Sequence, residues 1–169
     1  MESHTEARLQ SVGYQVDPAL AFETHSDMVY RLAFVRTGNK TDADDILSEV
    51  FLRLVKSQSK IESEEHLKAW LIRVTINCSH SLFSRIKHRK ESALNDCQTV
   101  VFMENREVLP AVLKLPNKQK TILYMYYFEG YSVAEISTIC SIPVGTVKSR
   151  LARARESLRA ELKGANIDV

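Results

Sequence analysis

Cysteine is scarce in this chain of 169 residues: Cys78, Cys97 and Cys140 are odd in number and widely spaced. With no CxxC pair and no Cys/His quartet, neither a disulfide framework nor a structural zinc site is supported. The five glycines are isolated, so no glycine-rich loop exists to cradle a phosphate. His25, His66, His80 and His88 show no HExxH or other ligand spacing, and nothing marks a strained nucleophile turn. No metal, cofactor or catalytic residue is therefore expected, and an enzyme acting on nucleic acid is the weakest reading. No apolar run approaches the length of about eighteen residues that spans a bilayer. The opening MESHTEARLQ lacks the apolar core of a signal peptide. A cytoplasmic protein without membrane insertion is the default.

Charge of one sign is also lacking overall, since 23 basic and 21 acidic residues leave only +2. Its distribution is uneven. From Thr146 to Lys163 six basic residues face two acidic ones, giving +4, so the remainder carries −2. This basic stretch is the second half of Tyr131–Leu158, which reads as a short helix, a tight turn and a longer helix. Ser132 can cap the first helix, whose inward residues are Val133, Ile136 and Ile139, and Cys140-Ser141-Ile142 makes the turn before Pro143. In the second helix Val147, Leu151, Ala154, Leu158 and Leu162 recur at three- and four-residue intervals and form an inward stripe. Thr146, Ser149, Arg150 and Arg153 fall on other faces, flanked by Lys148, Arg155 and Arg159. Hydroxyls and guanidinium groups on a helix held from behind suit base edges and phosphates in a DNA major groove.

Upstream, apolar residues from Leu20 to Val35 predict one or two helices ended by Gly38-Asn39. Thr41 can cap the next helix, with Asp42, Asp44 and Asp45 in its first turn and Ile46, Leu47, Val50, Phe51 and Leu54 at helical spacing. Asp42, Asp45 and Glu49 share the opposite face, and an acidic stripe there suits a basic partner. A third helix begins near Glu64 and runs through Trp70 to the basic end Arg85–Lys90. Residues 91–107 carry no period and read as a linker. Pattern resumes at Val108, with Pro116 in a first turn, an apolar face of Ile122, Leu123, Tyr126 and Tyr127, and Gly130 as C-cap. The fold class is all-α: a tail (1–17), a helical module (18–90), a flexible linker (91–107) and a helix-turn-helix module (108–169).

The residues Leu115-Pro116, Phe128-Glu129-Gly130-Tyr131-Ser132 and Val144–Arg150 (VGTVKSR) together resemble the −35-reading module of extracytoplasmic-function sigma factors. These are small, two-module specificity subunits of bacterial RNA polymerase. TDADDILSEVFLRL is similar to the family's segment that docks on the clamp helices of the polymerase's largest subunit, which implies a docking role for Asp42, Asp45, Ser48 and Glu49. The family usually has Gln where Ser48 stands. AWLIRVTINCSHSLFSRIKHRK resembles its −10 reader, which implies −10 contacts for Arg73, Asn77, Arg85, Lys87, Arg89 and Lys90. A displaced strand needs such polar edges beside a positive groove. Trp70 by itself reads more readily as core than as a stacking platform. The −35 contacts fall to Thr146, Lys148, Ser149, Arg150, Arg153 and Arg155. The resemblance further implies core RNA polymerase, promoter DNA and an anti-sigma factor as partners. The alternative, a stand-alone helix-turn-helix regulator, explains the C-terminal third but leaves the acidic and Trp70–Lys90 helices without a task.

Overall fold

A computed structural model describes residues 14–57, 60–86 and 108–164, with side chains of 83–86 excepted. The tail before Tyr14, the proposed linker, Lys87, Arg89, Lys90 and Cys97 lie outside the described residues. All regular structure among them is helical: α1 (Pro18–Thr37), α2 (Lys40–Lys56), α3 (Glu64–Ile86), α4 (Leu109–Lys114), α5 (Asn117–Tyr127), α6 (Val133–Cys140) and α7 (Val144–Gly164).

The first three helices form one bundle. At the start of α1 the Asp17 carboxylate accepts from Ala19 N at 2.9 Å beside Pro18, whose fixed φ suits the first helical position. Gly38 ends it as a single helix at φ 67°, a left-handed angle that glycine adopts without a Cβ penalty. Asn39, not Thr41, caps α2: its side chain accepts from Asp42 N at 3.1 Å, and Thr41 stands inside the first turn. The Asn39 backbone is extended at φ −136°, as an N-cap requires, which Thr41 within the helix cannot supply. Val29, Leu32 and Ala33 of α1 meet Ile46 and Val50 of α2 and Leu67, Leu71 and Ile72 of α3, all essentially solvent-free. Thr75 and Ser79, also buried in α3, donate to the carbonyls of Leu71 and Thr75 at 2.7 Å each, so neither hydroxyl is left unsatisfied.

The second unit is built on the helix-turn-helix. Ser132 Oγ accepts from Glu135 N while Glu135 Oε2 accepts from Ser132 N, a complete capping box for α6. The turn passes through Ser141 at φ 53°, and Ile142 N donates to Ser137 O at 3.1 Å. Pro143 then presents its carbonyl to Thr146 N and Val147 N at the start of α7. Val147, Leu151, Ala154 and Leu162 are buried and Leu158 is half-buried, so the inward stripe stands as read. Two boundary details differ. Pro116 is the N-cap of α5 rather than part of its first turn, and Phe128 is its C-cap. Gly130, at φ 72°, makes the following reversal, in which Tyr131 N reaches Met125 O at 3.0 Å.

The two units are folded onto each other. α5 lies on α1 and α6 on α3, and one continuous apolar cluster runs from Val29 and Leu32 to Ile122, Met125 and Ile136. Polar ties cross the seam: Arg36 donates to Thr121, Arg73 Nε donates to Ile139 O at 3.1 Å, and Lys68 pairs with Glu129 at 2.9 Å. This packing corrects the reading of α5. The whole run Lys120–Met125 is buried, whereas Tyr127 of the expected apolar face is 54% exposed. A helix covered by α1 on one side and α7 on the other has no single inward stripe.

Lys120 is buried in this run with its Nζ donating to Leu113 O at 3.3 Å. Burial, and then Arg36, push its pKa down to about 8. Between about pH 8 and 9 the unfolded chain therefore holds a proton at this lysine that the folded chain releases, so stability rises with pH. The slope from this group reaches at most about 1.4 kcal/mol per pH unit. Lys120→Met is expected to remove that rise and to melt higher than wild type at pH 7, as read by thermal denaturation at pH 7 and pH 9.

Candidate nucleic-acid and polymerase interfaces

On α7, Lys148, Ser149 and Arg153 are exposed, Thr146 is half-buried, and Ser149 Oγ donates back to Thr146 O at 3.0 Å. They share a solvent face opposite the buried stripe. Two of the basic residues have intramolecular engagements that spacing alone does not reveal. Arg150 is half-buried and turned toward the seam. Arg155 Nε donates to Tyr127 Oη at 2.7 Å, and its guanidinium lies 5.6 and 5.5 Å from the ring centres of Tyr126 and Tyr127. Arg155 therefore covers the aromatic face of α5 with a cation–π contact.

On α3, Arg73 and Asn77 are one turn apart and face the turn between α6 and α7, where Arg73 is held by Ile139 O. Arg85 falls in α3, but its side chain is outside the described ones. Trp70 is half-buried against the core, in keeping with a packing residue. Arg73, Asn77 and Arg150 thus line one cleft of about 440 Å³ together with Arg36, His80 and Lys118. Residues assigned by the sequence to two separate DNA elements are brought side by side. Nothing in the sequence alone singles out Arg36 or Lys118. Arg36 sits in an apolar run that reads as plain core, and Lys118 is one solvated lysine among several.

On α2, Asp45, Ser48 and Glu49 are exposed and Asp42 is half-buried. Burial, and then neighbouring Asp45, hold the Asp42 carboxyl above its ordinary range. Ser48 Oγ donates to Asp44 O at 3.0 Å, and Glu49 accepts from Arg53 Nε at 2.7 Å. Asp45, Ser48 and Glu49 border a groove of about 390 Å³ between α2 and α3, which Leu52 enters with half its surface exposed. Helical periodicity gives no reason to single out Leu52, because it has the chemistry of a core residue. Cys140, by contrast, packs as a small hydrophobe: its sulfur lies 3.7 Å from Met125 Sδ and burial pushes its thiol up.

Family models match both units: Sigma-70 region 2 over residues 21–89 and Sigma-70 region 4 over residues 105–158. The ECF RNA polymerase sigma factor EcfG of Rhodopseudomonas palustris is 30% identical over 134 residues, covering 75% of this chain and 74% of that protein. The chain belongs to the ECF sigma factors. The sigma factor SigW of Bacillus subtilis is 28% identical over 188 residues, covering 96% of this chain and 99% of that one. Among solved structures, the sigma factor RpoE in complex with the anti-sigma factor NepR from Bartonella quintana superposes at TM-score 0.72. That match has 22% identity and covers 86% of this chain and 96% of that one. CnrH in complex with the cytosolic domain of CnrY gives 0.59 at 19% identity, with 87% and 88% covered. At these identities the likeness concerns the fold. A sigma factor binds core RNA polymerase, directs it to promoters through −35 and −10 elements, and helps open the DNA. It is an initiation factor and not an enzyme, because the polymerase performs the chemistry. The stand-alone regulator is not favoured, since region 2 accounts for the helices that reading left idle. No helix among the described residues is long and apolar enough to cross a membrane.

Proposed function

We propose that the work of this sigma factor is divided among three surfaces. Asp42, Asp45, Ser48 and Glu49 dock α2 on the clamp helices of the polymerase's largest subunit. Arg73 and Asn77, continued by Arg85, Lys87, Arg89 and Lys90, take the −10 strand. Thr146, Lys148, Ser149, Arg150, Arg153 and Arg155 face the −35 duplex. Residues 18–90 and 108–169 act as the two working modules, with 1–17 as a tail and 91–107 as the connection. The observation that carries this reading is the segregation of charge. α2 exposes carboxylates opposite its core, while α7 exposes Lys148 and Arg153 opposite Val147, Leu151 and Ala154.

The seam must open for promoter work. Positions −35 and −10 are about 25 base pairs apart, roughly 85 Å at about 3.4 Å per step. A compact chain of this length has a radius of gyration of about 15 Å, so the folded-together form cannot span both elements. The Arg73 tie to Ile139 O also occupies a −10 contact with the chain's own backbone. Docking on polymerase supplies the surface on which the modules separate. By analogy with a relative solved with its anti-sigma factor, an anti-sigma protein holds this chain in reserve, and the site of action is the cytoplasm.

Base and phosphate roles are separable by experiment. A bidentate guanidinium–guanine pair discriminates by about 1–3 kcal/mol, whereas phosphate contacts weaken all sequences alike. Arg150→Ala and Arg153→Ala are expected to change the ranking of promoters in run-off transcription with reconstituted polymerase while leaving core binding unchanged. A uniform loss on every promoter reassigns both residues to the backbone.

A further inference from the structure

Among the described residues, the cleft along the seam gathers cations without a carboxylate to face them. Arg36 is only 2% exposed, yet its guanidinium meets no carboxylate among the described residues. It donates to Thr121 Oγ1 and lies 3.4 Å from His80 Nε2, and its Nε finds no acceptor among the described residues. Burying a cation without an anion is costly, and native proteins resolve it by pairing. Here burial lowers the Arg36 pKa to about 10, with the neighbouring Cys140 thiol opposing the shift. The surrounding residues add to the problem. Arg73, Lys118 and Arg150 line the same cleft, and no carboxylate among the described residues does so. His80 is pushed down by burial and then by Arg36 and Lys118. Just beyond, buried Lys120 feels Arg36 as well.

We propose that this cleft, with Arg36, Arg73, Lys118 and Arg150 in its walls, binds a small free polyphosphate anion of the inorganic pyrophosphate class. The volume of about 440 Å³ lies in the range of small-ligand sites, about 300–1,000 Å³. Arg36 and Arg73 belong to the first unit, Lys118 and Arg150 to the second, so the complete ring exists only when the units are together. A multiply charged anion between them supplies the missing counter-charge and latches the seam. A forked guanidinium pairs with phosphate oxygens through two parallel bonds, and the ammonium of Lys118 adds a point charge at the mouth. Occupancy also withdraws Arg73, Asn77 and Arg150 from DNA. The binding site rests on the packing of the units, and only this last consequence rests on the promoter roles proposed above.

The test is calorimetric titration of the full chain with inorganic pyrophosphate, with small-angle scattering on the same samples. The expected result is saturable one-to-one binding, weakened at least tenfold by Lys118→Glu and unchanged by Lys163→Ala, which lies outside the cleft. Lys118 is exposed in the first turn of α5, where a carboxylate is favourable to the helix, so the reversal does not threaten folding. Arg36→Met is expected to abolish binding without lowering the melting temperature in anion-free buffer, because it removes an uncompensated buried charge. A purely structural arginine would give the opposite melting shift. Absence of saturable binding at millimolar pyrophosphate, or equal binding by wild type and Lys118→Glu, overturns the site. If scattering then shows a compact chain, the anion assignment has failed; if it shows an extended one, the packing itself has.

Discussion

The double reversal Asp45→Lys/Glu49→Lys is expected to weaken binding to core RNA polymerase by about a hundredfold or more, equivalent to roughly 2.7 kcal/mol. Both carboxylates are exposed on α2, one turn apart, beside a groove that admits a partner side chain. Attraction to a basic surface becomes repulsion at two positions, and like-charge contacts across an interface cost several kcal/mol. The fold loses only the exposed helical pair between Glu49 and Arg53, which is worth about 0.3–0.5 kcal/mol. The melting temperature should therefore change little while the complex disappears. Competition binding against wild type with sigma-free core enzyme measures the effect. Undiminished binding would move the dock away from this face.

The second large effect concerns the seam. Glu129 accepts from Lys68 at 2.9 Å and from Tyr124 Oη at 2.8 Å, and its side chain is only 11% exposed. Glu129→Lys places a cation against Lys68 and removes the acceptor of a buried tyrosine. The seam is expected to open, freeing Arg73 and Asn77, and affinity for a single-stranded −10 oligonucleotide should rise about tenfold, or ~1.4 kcal/mol. Fluorescence anisotropy with the free protein reads this out. The charge swap Lys68→Glu/Glu129→Lys should restore the pair and return affinity toward wild type, which separates opening from local damage. A single variant that binds the strand no better than wild type would show that the seam does not govern access.

Much of this architecture is legible in the sequence because it is local. The capping box Ser132–Glu135, the stripe Val147–Leu151–Ala154 and the stop at Gly38 each depend on residues a few positions apart. The same holds for the acidic face of α2. The seam was not legible. Whether Arg73 faces DNA or Ile139 O depends on a partner 66 positions away, and its periodic signal is the same in either case. The buried run in α5 is a consequence of the same packing: Tyr124 and Met125 interrupt the expected stripe because a second unit covers them. The burial of Arg36 is hidden from the sequence for a related reason. It arises from the joint cover of α3 and α5, and nothing in VRTGNK marks one basic residue as lacking a counter-charge.

The two reading units of this sigma factor are expected to be folded together in the free protein and to separate on polymerase. The most direct measurement is resonance energy transfer between dyes at positions 56 and 163, both exposed lysines, one on each unit. High transfer in the free protein that falls sharply on addition of core RNA polymerase is the expected result. Transfer that is already low in the free chain, or that stays high in the polymerase complex, would contradict it.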